Sequence, residues 1–433
     1  MKEPGTRPVP ADLDRAALDA YQARGMQDLL MRILPSHRFY TQKFTEANID
    51  VGRLVFPGDL QLLPFTTKAE LLAAQEKHPP HGELLTYPLD RYNRMHQTSG
   101  TSGKPLRWYD TPESWELLLE CWREKFRIAG ITSRDRLFFP FSFGPFLGFW
   151  TAFEAGIRHG CFTLPGGGMS SPARLRYLLQ NEVSVVFCTP TYALRLLEVA
   201  EEEGISLVHS PVRMLIVAGE PGGSIPATRA RIAQGWGARV FDHNGMTETG
   251  PLGFECVEAP GGLHLLESAC IPEVIDPNTG HPVPTGGEGE LVITSFRRIA
   301  SPLIRYRTGD LVRVDPHPCR CGRALVRLEG GIRGRVDDMI FVRGNNVHPS
   351  SIQTILHGIQ GVSEYLIEVD QRGALTELRI KIEPAEGAAG ITLLELVHHA
   401  LRRALPFRVE VELCEPGTLP RAEMKARRVV RKT

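Results

Sequence analysis

A chain of 433 residues can build one large domain and a smaller one. Its 50 Lys and Arg balance 50 Asp and Glu, so no global field draws it to nucleic acid or to an anionic membrane. No apolar run is long enough to span a bilayer, and the opening MKEPGTRPVP lacks the apolar core of a signal peptide. A cytoplasmic protein is therefore expected, with its 8 cysteines as thiols or metal ligands rather than a disulfide framework.

Residues 16–34 carry Leu18, Tyr21, Met26, Leu29, Leu30 and Ile33 at helical spacing. Pro57, Pro64, Pro79 and Pro80 then divide the chain into short elements. The stretch QTSGTSGKPLRWYD, residues 97–110, follows. From Ser99 through Gly100 and Thr101 to Ser102 it has no bulky side chain, and Gly103 and Lys104 come next. Such a loop can wrap N–H and hydroxyl donors around a phosphate, with Lys104 adding a point charge. It does not fit the P-loop template: Gly100 and Gly103 are too close, and Pro105 stands at the Ser/Thr position. Taken alone, it is equally a flexible turn.

Residues 114–128 predict a helix and residues 136–141 a buried strand. The strand runs into FFPFSFGPFLGFW, where seven aromatic residues fall within thirteen positions. Most belong in a core. Phe141 and Phe143, beside Gly144, are the candidates to line an acid pocket.

Next come a β-branched strand at 183–188, a helix at 192–202, a strand at 212–218, a helix at 227–236 and a strand at 239–242. This order implies right-handed crossovers and a parallel sheet with helices on its faces. Ligands in such sheets sit beyond the carboxyl ends of the strands. Two polar loops fall there, AGEPGG at 218–223 and DHNGMTETG at 242–250. Both are ordinary surface turns or a ligand edge, and Glu248 beside Thr247 suits a hydrated Mg²⁺. Residues 264–315 alternate in short segments between turn clusters, predicting an antiparallel, barrel-like region. Asp310, in the expected turn YRTGD, could accept hydrogen bonds from two sugar hydroxyls.

Four pieces stand in order: TSGTSGKP, NGMTETG, YRTGD and GRVDDMIFVRGNNVHPS. Together they resemble the adenylate-forming enzymes, the superfamily of acyl- and aryl-CoA synthetases, peptide-synthetase adenylation domains and luciferases. PLIRYRTGD, the AGEP loop, FEC with GLH, RGNNVHPS and LPRAEMKARRV look most like its phenylacetate-CoA ligase branch.

The resemblance implies an α/β fold. A large domain, 1–336, would combine parallel α/β sheets with the barrel-like region; a small mobile α+β domain, 337–433, would carry the catalytic lysine. It implies an ATP-dependent aryl-CoA ligase that activates an aromatic acid of the phenylacetate, benzoate or aminobenzoate type as acyl-AMP and passes it to coenzyme A. Residues 99–104 would grip the β- and γ-phosphates. Gly219, Glu220 and Pro221 would border adenine, with Asp242, His243, Asn244, Gly245 and Met246 completing the nucleotide edge. Thr247 would contact the α-phosphate, Glu248 the Mg²⁺, and Asp310 with Arg335 the ribose. Asp337 or its neighbour Asp338 would be the hinge, Lys425 the catalytic lysine, and Arg343, Gly344 and Asn345 the coenzyme A channel.

Two positions depart from the pattern. Asn244 replaces the usual aromatic that stacks on adenine, and Met424 replaces the usual Gly before the lysine. The basic tail from Arg421 is read as a placed lysine flanked by solubilising arginines. Cys256, His264, Cys319 and Cys321 make a Cys₃His set suited to a closed tetrahedral structural zinc, as some relatives carry. Cys121, Cys161, Cys188 and Cys270 read as core, and Cys414 is unassigned. The alternatives are an adenylating enzyme that loads a carrier-protein thiol or an amine, and a non-catalytic nucleotide-binding protein of the same fold. A homodimer is the default assembly.

Overall fold

The structure is a computed structural model. It describes all residues except 1–9, 35, 99–103, 339, 343–344, 373–375, 386, 406, 422–427 and 433, with backbone alone at 341 and 345–346.

An eight-stranded sheet forms the centre. Its parallel half runs in the spatial order Phe162–Pro165, Arg136–Phe139, Val185–Cys188, Met214–Val217 and Arg239–Met246. The helices between these strands, including Pro190–Glu202 and Pro226–Trp236, are the expected crossovers. Each of these two begins with a proline, whose missing N–H costs nothing in a first turn. Thr189 caps the first of them by accepting from the Tyr192 N–H. All-buried strands such as VVFC and MLIV explain the absence of polar alternation: both faces are covered.

The last parallel strand does two jobs. Residues 239–242 pair parallel with 214–217, whereas residues 243–246 pair antiparallel with Gly250–Glu255. The expected loop at 242–250 is therefore a strand to Met246 and a tight reversal at 247–249. The sheet then continues antiparallel through Gly262–Leu265 to Arg327–Glu329.

A second sheet, antiparallel, joins Cys270–Ile275, Glu288–Ser295, Leu303–Arg313 and Gly334–Arg335. YRTGD is not a turn. It lies inside the strand Leu303–Arg313, and Gly309, with φ of +76°, carries a left-handed kink that imitates turn composition.

The chain from Ile340 onward has its own core, including Ile352, Leu356, Ile367, Ile380 and Val397. Its sheet runs in the order Glu410–Leu413, Glu377–Pro384, Val362–Asp370, Val429–Lys432. The basic tail is thus corrected too: its last residues add a parallel strand beside 367–370. In the phenylalanine-rich segment, Phe138 and Phe139 are fully buried and Phe149 nearly so, but Phe146 is exposed. No helix among the described residues is long and apolar enough to cross a membrane.

Candidate active site

The glycine-rich stretch hangs from a hairpin, Arg94–Gln97 paired with Arg107–Asp110. Residues Ser99 to Gly103 lie outside the described residues. Lys104 is exposed and ion-paired with Glu76, 2.5 Å away, in the exchangeable way of a surface cation.

The hairpin ends at Asp110, whose carboxylate is fully buried and paired with the equally buried Arg298. Arg298 also donates to the carbonyls of Thr247 (2.7 Å) and Glu248 (3.0 Å). One guanidinium therefore ties the open end of the hairpin that carries the glycine-rich loop to the 247–249 reversal. Its planar fork suits this double duty.

Glu248 is buried, with Tyr306 Oη at 3.4 Å and Lys68 Nζ at 3.7 Å. Both contacts are long, so the carboxylate is not consumed by a close ion pair. Thr247 is half-buried beside it. A lone buried carboxylate of this kind fits Mg²⁺, which keeps waters and takes its other ligands from phosphates.

Asp310 accepts from Arg335 Nη1 at 3.0 Å, and Arg335 Nε donates to Asp337 at 2.8 Å. Burial pushes the Asp310 carboxyl up to about 6; Arg335 opposes this, while Asp337 and Glu248 add to it. Glu248, Asp310, Arg335 and Tyr306 thus share one electrostatic neighbourhood although up to 87 positions of sequence separate them.

The AGEP loop sits at the carboxyl end of Met214–Val217. Gly219 has φ of +93°, and Glu220 accepts from the Thr191 N–H at 2.8 Å. Gly219 and Pro221 are exposed. A side chain at Gly223 would collide with Asp242, since its Cβ would stand 2.4 Å from that carboxylate. Asp242 accepts from the Ser224 hydroxyl, and burial pushes its carboxyl up to about 7. Asn244 packs over Gly253, and its buried Oδ1 has no partner among the described residues. Gly245 is exposed and Met246 half-buried.

Between Asp242 and Asn244 in the strand, His243 turns inward. Lys125 Nζ lies 2.7 Å from His243 Nδ1 and 2.8 Å from the Gly253 carbonyl. Burial holds both groups well below their ordinary values, so this site favours their neutral forms. The His243 ring touches Trp122 (4.5 Å) and Phe149 (6.0 Å), and Phe149 leads to Phe141 (5.7 Å) and on to Phe143 (5.1 Å from Phe141). Gly144 is exposed, and its carbonyl accepts from Trp150 Nε1 at 3.0 Å.

Cys256, His264, Cys319 and Cys321 converge, their ligand atoms all within 4.8 Å of one another. Cys256 and Cys319 sulfurs are 3.6 Å apart, and Cys321 Sγ is 3.4 Å from His264 Nε2. Zinc–sulfur bonds of about 2.3 Å in a tetrahedron give edges of about 3.5–3.8 Å, so these two edges are near those of a zinc site. His264 Nδ1 faces the Leu325 carbonyl at 3.3 Å, leaving Nε2 as the ligand nitrogen.

The AMP-binding enzyme family matches residues 95–296, and the AMP-binding enzyme C-terminal domain matches residues 344–432. The phenylacetate-coenzyme A ligase of Thermus thermophilus is 32% identical over 96% of this chain and 97% of its own. That of Escherichia coli is 29% identical over 96% of both.

The chain belongs to the phenylacetate-CoA ligase branch of the adenylate-forming AMP-binding enzymes.

Among solved structures, 2-hydroxyisobutyryl-CoA ligase with its acyl-AMP in the postadenylation state matches at TM-score 0.92 and 28% identity, covering 100% of this chain and 95% of that one. The same enzyme with acyl-AMP and CoA in the thioesterification state matches at 0.74, covering 100% and 94%. The two states share a sequence, so the drop measures the arrangement of parts rather than the fold.

Lys425, Arg343 and Gly344 lie outside the described residues, and Asn345 begins the short strand Asn345–Val347. Asp337 is exposed and paired with Arg335, where the second sheet hands over to the C-terminal unit. Arg298, Asp110, Tyr306 and Lys68 were not legible as site residues. Arg298 sits in FRRIAS beside another arginine, and only the fold shows which of the two is buried.

Proposed function

We propose that this chain is an ATP-dependent aryl-CoA ligase: a carboxylic acid and ATP give acyl-AMP and pyrophosphate, and coenzyme A then gives the thioester and AMP. The observation that carries the reading is the convergence of Glu248, Asp310 and Arg335 beside the 247–249 reversal, in a member of this family. A carboxylate is a poor nucleophile and ATP is highly anionic. Catalysis therefore rests on positioning and on charge neutralisation at the α-phosphorus.

In this reading Asp310, oriented by Arg335, accepts the ribose hydroxyls. The AGEP loop borders adenine on one side. Asp242 to Met246 border it on the other, and the orphaned Oδ1 of Asn244 offers an acceptor where relatives place an aromatic ring. Thr247 meets the α-phosphate. Glu248 would hold Mg²⁺, which when bound neutralises phosphate charge. Residues 99–104 grip the outer phosphates, and Lys425 bridges carboxylate and α-phosphate. The boundary lies at 336–337 with Asp337 as hinge. The 343–345 segment lines the thiol path in the second step. Cys256, His264, Cys319 and Cys321 would hold a structural zinc, fastening the 319–321 turn to the sheet.

Acids with a ring hydroxyl or amino group are favoured over plain phenylacetate by one observation. The aromatic wall from Phe143 through Phe141 and Phe149 ends on the polar His243–Lys125 pair, and His243 Nε2 has no hydrogen bond among the described residues. A panel of substituted and plain aryl acids, assayed by pyrophosphate release, tests this. His243→Phe should cut the preference for the substituted acid about tenfold, the value of one or two hydrogen bonds. An unchanged preference would remove His243 from the pocket.

A further inference from the structure

Two side-chain hydrogen bonds among the described residues join helices of the large N-terminal part to the C-terminal unit away from the nucleotide site. Thr228, on the helix Pro226–Trp236, hydrogen-bonds His357 Nδ1 at the end of the helix Pro349–His357. The other ring nitrogen of His357 meets Tyr365 Oη at 2.6 Å, inside the C-terminal sheet. Burial lowers the His357 value to about 4, with Arg428 and Arg231 adding to the effect, so the ring is neutral near pH 7. A neutral imidazole has one donor and one acceptor, and both are engaged.

The second contact is made by Arg428. Its Nη1 donates to Thr191 Oγ1 at 3.2 Å. Its Nε and Nη2 take Glu364 as a two-point pair, at 2.5 and 3.0 Å. Its guanidinium also covers the Tyr365 ring at 5.0 Å. Arg428 is thus no solubilising tail residue: only 13% of its side chain is exposed. Thr191 is the residue whose N–H holds Glu220 of the adenine-bordering loop. Arg428 follows Lys425 by three residues, and three residues of chain span at most about 11 Å.

We infer that Arg428 and His357 are positioning residues for the first half-reaction: they latch the C-terminal unit, through Thr191 and Thr228, in the arrangement that makes acyl-AMP. The latch rests on the ligase reading above. Both contacts exist in the arrangement that matches the postadenylation state. A rotation of the C-terminal unit would pull His357 from Thr228 and Arg428 from Thr191. Each would keep its partner within its own unit, Tyr365 or Glu364. The latch therefore releases without leaving a buried charge unpaired, as a reversible two-state element requires.

The test is the double variant Thr191→Val/Thr228→Val, which removes both hydroxyl partners and keeps side-chain shape. Three quantities are read: acid-dependent ATP–pyrophosphate exchange, thioester formation from supplied acyl-AMP and CoA, and energy transfer between dyes on exposed positions of the two units. The latch predicts an exchange rate about tenfold lower, from two lost hydrogen bonds, with thioester formation from acyl-AMP within about twofold of the parent and a shifted inter-unit distance. Equal losses in both half-reactions would overturn it, as would an unchanged exchange rate with an unchanged distance. Should the parent exchange pyrophosphate with no acid, the ligase reading fails. The distance measurement still judges the latch, with a shift upholding it and no shift overturning it.

Discussion

Arg298 and Asp110 form an ion pair with essentially no exposure on either side chain. The pair joins a strand from the glycine-rich hairpin to the segment that follows the strand Glu288–Ser295, and its guanidinium holds the carbonyls of Thr247 and Glu248. A buried pair of this sort adds little net stability over an apolar substitute, but breaking it strands a charge. Arg298→Met should therefore destabilise the fold by about 3–5 kcal/mol and lower adenylation more than nucleotide binding. Denaturant unfolding gives the first value. A loss under about 1 kcal/mol would mean that Asp110 finds water or another partner.

In its proposed role, Asp310 should make nucleotide binding pH-dependent. Burial raises its carboxyl to about 6, and only the ionised form accepts two ribose hydroxyls. The value is raised above that of the unfolded chain. Its contribution to stability is thus fully present below the unfolded carboxylate value and fades as pH rises through about 6. Binding runs the other way, and the KM for ATP should climb about tenfold per unit as pH falls below about 6. Asp310→Asn should bind weakly and remove this limb. Asp242, raised to about 7, leaves a separate inflection in that variant.

The Cys₃His set predicts one zinc per chain. Metal analysis of purified protein should find it, and Cys319→Ser should lose it together with at least about 5 °C of Tm, while activity at low temperature persists. A metal-free protein with the parent Tm would return the four residues to ordinary thiols and a core histidine.

Lys425→Ala separates the half-reactions. If its proposed role is to bridge the carboxylate and the α-phosphate, removing its charge should slow acyl-AMP formation by about 10²–10³. Thioester formation from supplied acyl-AMP should survive. Loss of both activities together would place Lys425 in a structural role.

The parallel half of the fold was legible because buried strands announce themselves locally, as VVFC and MLIV do. The candidate site could be named where a motif is contiguous, as at Thr247 and Glu248. It was hidden where one residue serves two distant segments. Arg298 and Arg428 look like solvent-facing arginines until the sheet brings Asp110 or Glu364 against them. Composition misled at Asp310, where Gly309 bends a strand with a residue that usually makes a turn.

Pyrophosphate release with a panel of aromatic and aliphatic acids, each with and without coenzyme A, tests the central claim most directly. The ligase reading predicts sustained release only with an aryl acid plus coenzyme A, and formation of the matching thioester. Release that stops near one equivalent whether or not coenzyme A is present would contradict it and move the acceptor to a carrier-protein thiol or an amine. No release with any acid would contradict adenylation itself and leave a nucleotide-binding protein on an enzyme's fold.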